Sequence, residues 1–336
     1  MSQGGGARSL LLPLTPLFRL ALVLRELGLR SGLEPVRRLS WPVVSIGNLS
    51  TGGAGKTPLT IALARALTRR GLHVDVLSRG YGRRSRLAAC VDANGTAEEF
   101  GDEPIVIARE AGVPVYVSTQ RYQAGLLAER AAASTARIHL LDDGFQHRQL
   151  HRDLNILLLN QSDMTDRLLP AGNLRERVGA LRRADVLAIP AADAVVLEPA
   201  LRGRAGFQGP IWRLQRRMET PPIDVAVAAF CGIARPGQFF DGLELAGIRL
   251  AARIAFTDHY RYTARDFDRL VSAALAAGAA AFITTEKDRA RLGAIAESLS
   301  KVLPLETARL KIEIEDEPSC LDWLVKRLMQ PAAHGL

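Results

Sequence analysis

Cysteine is scarce in this chain, with three residues among 336: Cys90, Cys231 and Cys320. They lie far apart and form no Cys-x-x-Cys pair, which excludes a disulfide framework and the usual zinc-ribbon spacing. So few thiols are typical of a protein that folds in a reducing compartment. We therefore expect core or surface thiols and no structural zinc.

Aromatic residues are also few, at 5% of the chain, and the sequence carries neither an RNA-binding signature nor zinc-finger spacing. We therefore expect no nucleic-acid partner, and no feature indicates a protein partner. The formal net charge of +9 favours an anionic partner, although a genome that prefers Arg codons would explain part of the excess. A nucleotide and an acidic membrane surface are the remaining candidates.

No apolar run is long enough to span a bilayer comfortably, because Arg19 and Arg25 interrupt the most apolar stretch, residues 10–30. This stretch lacks a small-residue cleavage site, which argues against a signal peptide. Thr15-Pro16 is a good helix start and Gly28 a plausible end. Two interpretations stay open: a helix packed on the following domain, or an amphipathic helix in a membrane interface with arginines at the headgroups.

The strongest pattern is a short apolar strand from Val43, a glycine-rich loop and a helix predicted over Leu59–Arg70. Loops of this kind wrap backbone N–H groups around a phosphate chain at a helix N-terminus. Lys56 would reach the β- and γ-phosphates, and the Thr57 hydroxyl would bind Mg²⁺. Ser50 stands where the strict pattern has glycine. The predicted phosphate-binding residues are Ser50, Thr51, Gly52, Gly53, Ala54, Gly55, Lys56 and Thr57.

Apolar strands alternate with helices along the chain, which predicts an α/β fold with a mostly parallel, doubly wound sheet of the P-loop NTPase type. After the strand at Val43, the predicted strands are His73–Ser78, Pro114–Ser118, Ile138–Leu141, Leu154–Leu159, Asp185–Ile189, Val225–Cys231, Arg249–Ala255 and Ala280–Thr284. The Gly-, Pro- and Arg-rich segment Glu198–Pro222 is interpreted as a junction. We predict an N-terminal apolar, amphipathic helix at 1–30, a P-loop domain at 31–215 and a smaller C-terminal α/β domain at 216–336.

Several acidic residues follow predicted strands or open predicted helices. Asp142 and Asp143 follow the strand 138–141, where P-loop enzymes place a carboxylate for Mg²⁺, although a solvated turn would look the same. Asp102 could be a helix cap, and Glu176 a helix-start acid. His259 is a lone histidine, and most such residues are structural.

The run Thr285-Glu286-Lys287-Asp288 fits a capped helix start. It lacks the Lys-x-Asp spacing of a guanine-binding loop. The sequence therefore favours ATP over GTP.

Together these motifs resemble the tetraacyldisaccharide 4′-kinase family, the lipid A 4′-kinases of Gram-negative bacteria. The resemblance covers nearly the whole chain in order, and the Asp-Asp-Gly-Phe-Gln-His run is its most specific part. The segments that carry it are Gly47–Pro58, Ser78–Gly82, Gly101–Pro104, Asp142–His147, Leu169–Glu176, Phe256–Tyr260 and Thr284–Asp288.

The resemblance implies transfer of the γ-phosphoryl group of ATP to the 4′-hydroxyl of a tetraacylated glucosamine disaccharide 1-phosphate. The product would be lipid IVA, in lipid A and lipopolysaccharide biosynthesis. The resemblance also implies Mg²⁺, an anionic membrane surface as partner, the cytoplasmic face of the inner membrane as location, and a two-domain cleft that closes on nucleotide.

The resemblance further implies roles for individual residues. Lys56 binds phosphates, Thr57 and Asp142 serve Mg²⁺, and Glu176 and Asp143 are further acids near the metal. Asp102 and His259 would activate the sugar hydroxyl, and the resemblance leaves open whether Asp102 or Asp143 takes the proton. Arg79, Arg83 and Arg121 are candidates for contacting the 1-phosphate.

Two other classes of function remain to be separated by experiment. A regulatory or metal-delivery NTPase would need a metal-ligand cluster or a guanine signature, and the sequence shows neither. A membrane-peripheral protein with a non-catalytic nucleotide loop is disfavoured because Lys56, Thr57 and Asp142 are all intact.

Overall fold

The computed structural model describes residues 11–32, 34–132, 137–203 and 205–330. The α-helices are α1 (Thr15–Arg30), α2 (Lys56–Arg69), α3 (Ala97–Phe100), α4 (Asp102–Ala111), α5 (Arg121–Ala131), α6 (Ala194–Gly203), α7 (Pro236–Leu245), α8 (Ala264–Ala276), α9 (Glu286–Leu292), α10 (Ala294–Val302) and α11 (Glu317–Met329). The strands are β1 (Val43–Asn48), β2 (Val74–Ser78), β3 (Ala89–Cys90), β4 (Val115–Val117), β5 (Ile138–Asp142), β6 (Leu154–Leu158), β7 (Val186–Pro190), β8 (Ile211–Glu219), β9 (Val227–Cys231), β10 (Leu250–Ala255), β11 (Ala281–Thr285) and β12 (Leu305–Ile314).

The described strands form one twelve-stranded sheet in the order β10-β9-β11-β12-β8-β7-β6-β1-β5-β2-β4-β3. Neighbouring strands are parallel except in the pairs β12–β8 and β3–β4. Strands such as β1, β2 and β5 are buried along their whole length, as expected where helices cover both faces of a parallel sheet. The predicted α/β class with a mostly parallel sheet is confirmed.

The segment Glu198–Pro222 is not a simple junction, because it contains the end of α6 and the whole of β8. Trp212 and Leu214 of β8 are buried, while arginines occupy much of its remaining length and hide the alternation in the sequence. β8 pairs with β7 on one side and with β12 on the other.

The predicted boundary between residues 215 and 216 therefore lies inside β8. Residues 1–10 and 331–336 of the first and last predicted segments lie outside the described residues. The division into three segments stays a prediction.

Helix α1 packs against the rest of the protein through one side. Phe18 and Leu22 pack against a buried cluster that includes Leu49 and Phe145. The helix continues two residues past Gly28, its predicted end. Along the described ranges, no helix has both the length and the apolar character needed to cross a bilayer.

Parallel pairing places the ends of neighbouring strands at one edge of the sheet. Ile46 of β1 lies opposite Asp142 of β5, and Asn48 of β1 lies opposite Leu158 of β6. The glycine-rich loop that follows β1 and the acids that end β5 therefore meet at the carboxyl edge, where open α/β sheets bind ligands.

Candidate active site

The glycine-rich loop has the backbone that a phosphate-binding loop needs. Gly52, Gly53 and Gly55 have φ angles of +72°, +65° and +91°, which glycine adopts at little cost. Ser50 departs from the strict pattern because its backbone forms an antiparallel bridge with Leu174, an extended conformation that does not require glycine. Helix α2 begins at Lys56, three residues earlier than predicted.

Lys56 is held at the mouth of this loop by two groups. Its Nζ donates to Asn48 Oδ1 at 2.9 Å and lies 3.4 Å from Asp143 Oδ1. Asn48 is fixed in turn because its Nδ2 donates to the carbonyl oxygen of Ser50 at 2.8 Å. The ammonium group is therefore already aimed at the space beside the loop, next to the half-exposed carboxylate of Asp143.

Asp143 is stabilised in its ionised form. Burial alone would raise the pKa of its carboxyl, but Lys56, Arg175 and Arg121 outweigh burial and lower that pKa to about 2. Arg175 Nη1 donates to both oxygens of Asp143, at 3.0 and 2.9 Å. Asp143 has a φ of +49°, a conformation that aspartate tolerates better than most residues.

Asp142, unlike Asp143, is stabilised in its protonated form. Burial, together with the nearby Glu103 and Asp143, raises the pKa of its carboxyl to about 7, and Lys56 opposes this shift only in part. The carboxyl group of Asp142 accepts a hydrogen bond from Thr60 Oγ1 at 3.1 Å. An ionised Asp142 is therefore costly until a cation approaches it.

We expect Asp142→Asn to stabilise the nucleotide-free protein at high pH. The pKa of an aspartate is about 3.9 in an unfolded chain, so between about pH 4 and pH 7 the folded state binds more protons than the unfolded state. Stability from this group falls as the pH rises through that range. The variant should match the parent near pH 4 and exceed its free energy of unfolding by about 2–4 kcal/mol at pH 8, measured by urea denaturation without Mg²⁺.

Asp241→Asn, on the exposed surface of α7, is the matched control and should show no pH-dependent difference. A variant less stable than the parent at pH 8 would contradict the proposed cost of ionising Asp142.

Thr57 is buried in the first turn of α2, and Glu176 pairs with Arg183. The other carboxylate oxygen of Glu176, Oε1, is buried without a hydrogen-bond partner in the described part of the chain. Within that part, no group of three or more His, Cys, Asp or Glu side chains is arranged to hold a metal ion.

Asp102 and His259 are brought together from distant parts of the sequence. His259 Nδ1 lies 3.3 Å from Asp102 Oδ2, and the hydrogen bond to Asp102 raises the pKa of His259. Burial would raise the pKa of Asp102, but His259, Arg291 and Lys287 reverse this and lower it well below its usual range. The sequence interpretation missed Arg291, whose Nε donates to Asp102 Oδ2 at 2.8 Å.

The second half of the chain also covers the glycine-rich loop. A Cβ at Gly52 would approach Ala234 Cβ at 2.4 Å, and one at Gly53 would approach Arg235 Cδ at 2.9 Å. Arg216 Nη2 donates to the carbonyl oxygen of Ala54 at 2.8 Å. Arg216 and Arg235, both from outside the predicted segment 31–215, thus lie beside the loop.

Of the three candidate arginines for the 1-phosphate, Arg121 is buried, Arg83 is half-buried and Arg79 is exposed. Burial and the neighbouring Arg79 lower the pKa of Arg121 to about 10. Burial, followed by Arg121 and Arg152, lowers the pKa of His147 to about 3. Arg83 donates through Nη2 to the carbonyl oxygen of Leu87 at 2.6 Å. Cations crowded in this way favour an anionic ligand.

Comparison with known proteins gives consistent results. The family model described as tetraacyldisaccharide-1-P 4′-kinase matches residues 7–329. The tetraacyldisaccharide 4′-kinase of Koribacter versatilis is 39% identical over 329 residues, covering 94% of this chain and 97% of that protein. The enzyme of the same name from Geobacter metallireducens is 39% identical over 332 residues, covering 90% and 98%.

A solved structure also resembles this chain along nearly its whole length. It is a crystal structure of LpxK from Aquifex aeolicus in complex with ATP, with a TM-score of 0.72 and 33% sequence identity. The match covers 96% of this chain and 99% of that chain.

Proposed function

The chain belongs to the tetraacyldisaccharide-1-P 4′-kinase family, and from this membership we infer the chemistry of its site. The protein is an ATP-dependent kinase of lipid A biosynthesis that phosphorylates the 4′-hydroxyl of a tetraacyldisaccharide 1-phosphate, forming lipid IVA. Two contacts carry the assignment of roles: the approach of Lys56 to Asp143, and the approach of His259, from the second half of the chain, to Asp102.

We propose that the loop 50–57 and Lys56 bind the phosphates of ATP. Phosphoryl transfer requires positioning and neutralisation of charge more than covalent help from the protein. The ammonium of Lys56, already fixed by Asn48, would meet the β- and γ-phosphates with little rearrangement. Asp143 and Arg175 would maintain the position of that ammonium between turnovers.

Asp142 at the end of β5, Thr57 in the first turn of α2 and Glu176 are the residues that would hold Mg²⁺. Thr57 supplies a hydroxyl and Asp142 a carboxylate that is costly to ionise unless a cation is near, and carboxylate oxygens are ligands that Mg²⁺ prefers. Glu176, with one buried and unbonded oxygen, is the third candidate. When bound, the metal would neutralise negative charge on the phosphates.

We propose that Asp102 and His259 activate the sugar hydroxyl as a pair. Asp143 is a weaker candidate for proton acceptor, because Lys56 and Arg175 hold the pKa of its carboxyl at about 2. In the pair, Asp102 stays ionised and orients the imidazole, while His259, with its raised pKa, is the better acceptor.

Incubation with γ-labelled ATP and a tetraacylated glucosamine disaccharide 1-phosphate should give a labelled, bis-phosphorylated lipid, resolved by thin-layer chromatography. The matched control replaces the substrate with the same disaccharide already phosphorylated at the 4′-position. Label released only as free phosphate would indicate a hydrolysing NTPase, and absence of turnover would indicate a nucleotide-binding protein.

We also propose that α1 attaches the protein to the cytoplasmic face of the inner membrane. Leu17, Leu20, Leu24 and Leu27 recur every three or four residues, so they form one stripe, and each is more than half exposed. Arg19 and Arg25 lie beside the stripe, as in interfacial helices that contact anionic lipid. Arg25 also donates through Nη2 to the carbonyl oxygen of Gln146, so Arg19 is the better candidate for such a contact. The same surface would face the acyl chains of the substrate.

Leu17→Ser combined with Leu24→Ser should weaken binding to phosphatidylglycerol-containing vesicles by about 10–100-fold, because two apolar side chains no longer enter the interface. Co-sedimentation measures the effect. Leu245→Ser removes an equally apolar side chain that is 90% exposed on α7 and should leave binding unchanged. Unchanged binding of the double variant would show that α1 is not the membrane anchor.

A further inference from the structure

Helix α9 presents two cations to two consecutive acids at the start of α4. Lys287 and Arg291 are four residues apart, so they lie on the same side of the helix. Lys287 Nζ donates to Glu103 Oε1 at 2.6 Å, and Arg291 Nε donates to Asp102 Oδ2 at 2.8 Å. These contacts join the segment that contains the glycine-rich loop to the segment that contains His259.

The Arg291 side chain is buried, and each of its three guanidinium nitrogens contacts a neighbouring group. Its side chain is 7% exposed and that of Asp102 is 4% exposed. Nη2 also contacts Asp102 Oδ2, while Nη1 donates to the carbonyl oxygen of Gly232 at 2.7 Å and to Asp288 Oδ1 at 3.1 Å. A planar guanidinium bound through three nitrogens has little freedom to turn.

The carbonyl oxygen of Gly232 is an anchor that Arg291 shares with His259. The backbone N–H of His259 donates to this oxygen at 3.1 Å, and Arg291 Nη1 donates to the same atom. The backbone N–H of Gly232 donates to Asp288 Oδ1 at 3.0 Å. A Cβ at Gly232 would come within 3.1 Å of Asp288 Oδ1, so glycine allows this close approach.

The guanidinium also lies directly against the two side chains of the pair. Arg291 Nη2 is 3.2 Å from His259 Nδ1, and both groups approach the same carboxylate oxygen, Asp102 Oδ2. Arg291 therefore contacts the Asp102 side chain directly and fixes the His259 backbone through Gly232.

We propose that Arg291 is a positioning residue for phosphoryl transfer, which sets the distance and orientation between Asp102 and His259 by binding the carboxylate of one and the backbone anchor of the other. This inference rests on the proposed role of the Asp102–His259 pair. Because the Arg291 side chain is only 7% exposed, we expect it to touch neither the nucleotide nor the sugar. Its loss should therefore change the rate of the chemical step more than the binding of either substrate.

Because Arg291 is charged, its removal should also change the pH dependence of kcat. It favours ionised Asp102 and disfavours protonated His259, so its removal raises the pKa of both groups. If turnover needs an ionised carboxylate and a neutral imidazole, the acidic limb of the kcat profile moves to higher pH. The other titratable or charged groups around the three residues include Lys287, Asp288, Asp258, Tyr262 and Tyr81, whose ring centroid lies 4.9 Å from that of His259.

The test compares Arg291→Met, Arg291→Lys and the control Arg289→Met, which changes the same residue type two positions earlier in α9. Arg291→Met should lower kcat by about 30–300-fold, with KM for ATP and for the lipid within about threefold of the parent values. Its acidic limb should move up by about one pH unit. Arg291→Lys should restore the position of that limb but only part of kcat, because one ammonium cannot reproduce the planar fork.

Asp102→Asn and His259→Ala in the same assay separate the two proposals. If both variants retain parental kcat, the proposed role of the pair fails and the inference fails with it. If both lose kcat while Arg291→Met retains it, only the inference is overturned.

The proposal would also be overturned if Arg291→Met lowered both kcat and the melting temperature but did not move the acidic limb of the kcat profile. Should the methionine variant not fold, the lysine variant decides. Lower kcat with unchanged KM and melting temperature supports the positioning role, and parental kcat contradicts it.

Discussion

Replacing Lys56 by methionine is expected to lower kcat/KM for lipid phosphorylation by about 10²–10³-fold. Methionine keeps most of the length and apolar surface of the lysine stem but removes the ammonium that would meet the β- and γ-phosphates. That ammonium is already fixed by Asn48 at 2.9 Å, so its stabilisation of charge in the transition state needs little reorganisation. Transfer of label from γ-labelled ATP to the lipid, measured over a range of ATP concentrations, gives both kcat and KM.

The same substitution also leaves Asp143 with one cation fewer. Arg175 still donates to both of its oxygens, so the fold should tolerate the change and the melting temperature should fall only slightly. Lys301→Met, on the exposed surface of α10, is the matched control and should have parental kinetics. Parental affinity for ATP and parental turnover in the Lys56 variant would be incompatible with a phosphate-binding role for the loop.

The parts of the fold that the sequence predicted depend on local patterns. The strand before the loop, the turn at Gly52–Gly55 and the helix α2 follow from apolar periodicity and from glycines at positions of positive φ. The alternation of strands and helices predicted the parallel sheet. The rule that ligands bind at the carboxyl edge predicted a functional role for the acids at the end of β5. Each of these signals is contained in a short window of the chain.

The missed parts depend on contacts between distant residues. Strand β8 alternates buried and exposed positions, but its arginines obscure the apolar pattern. Arg216 is partly buried where it binds the loop at Ala54 and the side chain of Asn160. Arg291 meets Asp102 across 189 residues of sequence, and no local pattern distinguishes it from Arg289. Asn48 is near Lys56 in the chain, yet nothing in its residue type indicates that its side chain would hold the lysine.

Asp102→Asn is expected to lower kcat by about 10²–10⁴-fold, the usual contribution of a positioned acid–base group. The amide has nearly the same shape as the carboxylate, so KM for ATP should change little. The neutral amide, however, cannot stabilise the imidazolium that forms at His259 when the sugar hydroxyl loses its proton. Rapid-quench measurement of the first turnover would show the loss in the chemical step itself.

The variant should also be less stable, because it leaves Arg291 buried with one partner fewer. Removing one member of a buried ion pair costs about 3–5 kcal/mol when the remaining charge is isolated. Asp288, 3.1 Å from Arg291 Nη1, still compensates the guanidinium, so we expect a cost nearer the lower end of this range. Glu103→Gln breaks the neighbouring ion pair with Lys287 between the same two helices and should lower kcat far less.

The double variant Asp102→Asn with His259→Ala distinguishes a pair from two independent contributions. If the carboxylate acts through the imidazole, removing the second group after the first has little further effect, and the double variant should be about as slow as the slower single variant. Independent roles would instead make the two losses multiply. Because His259 Nδ1 and Asp102 Oδ2 are 3.3 Å apart and Arg291 contacts both, we expect strong coupling between the two substitutions. Multiplicative losses would mean that Asp102 and His259 lie close together but do not cooperate in the proton transfer.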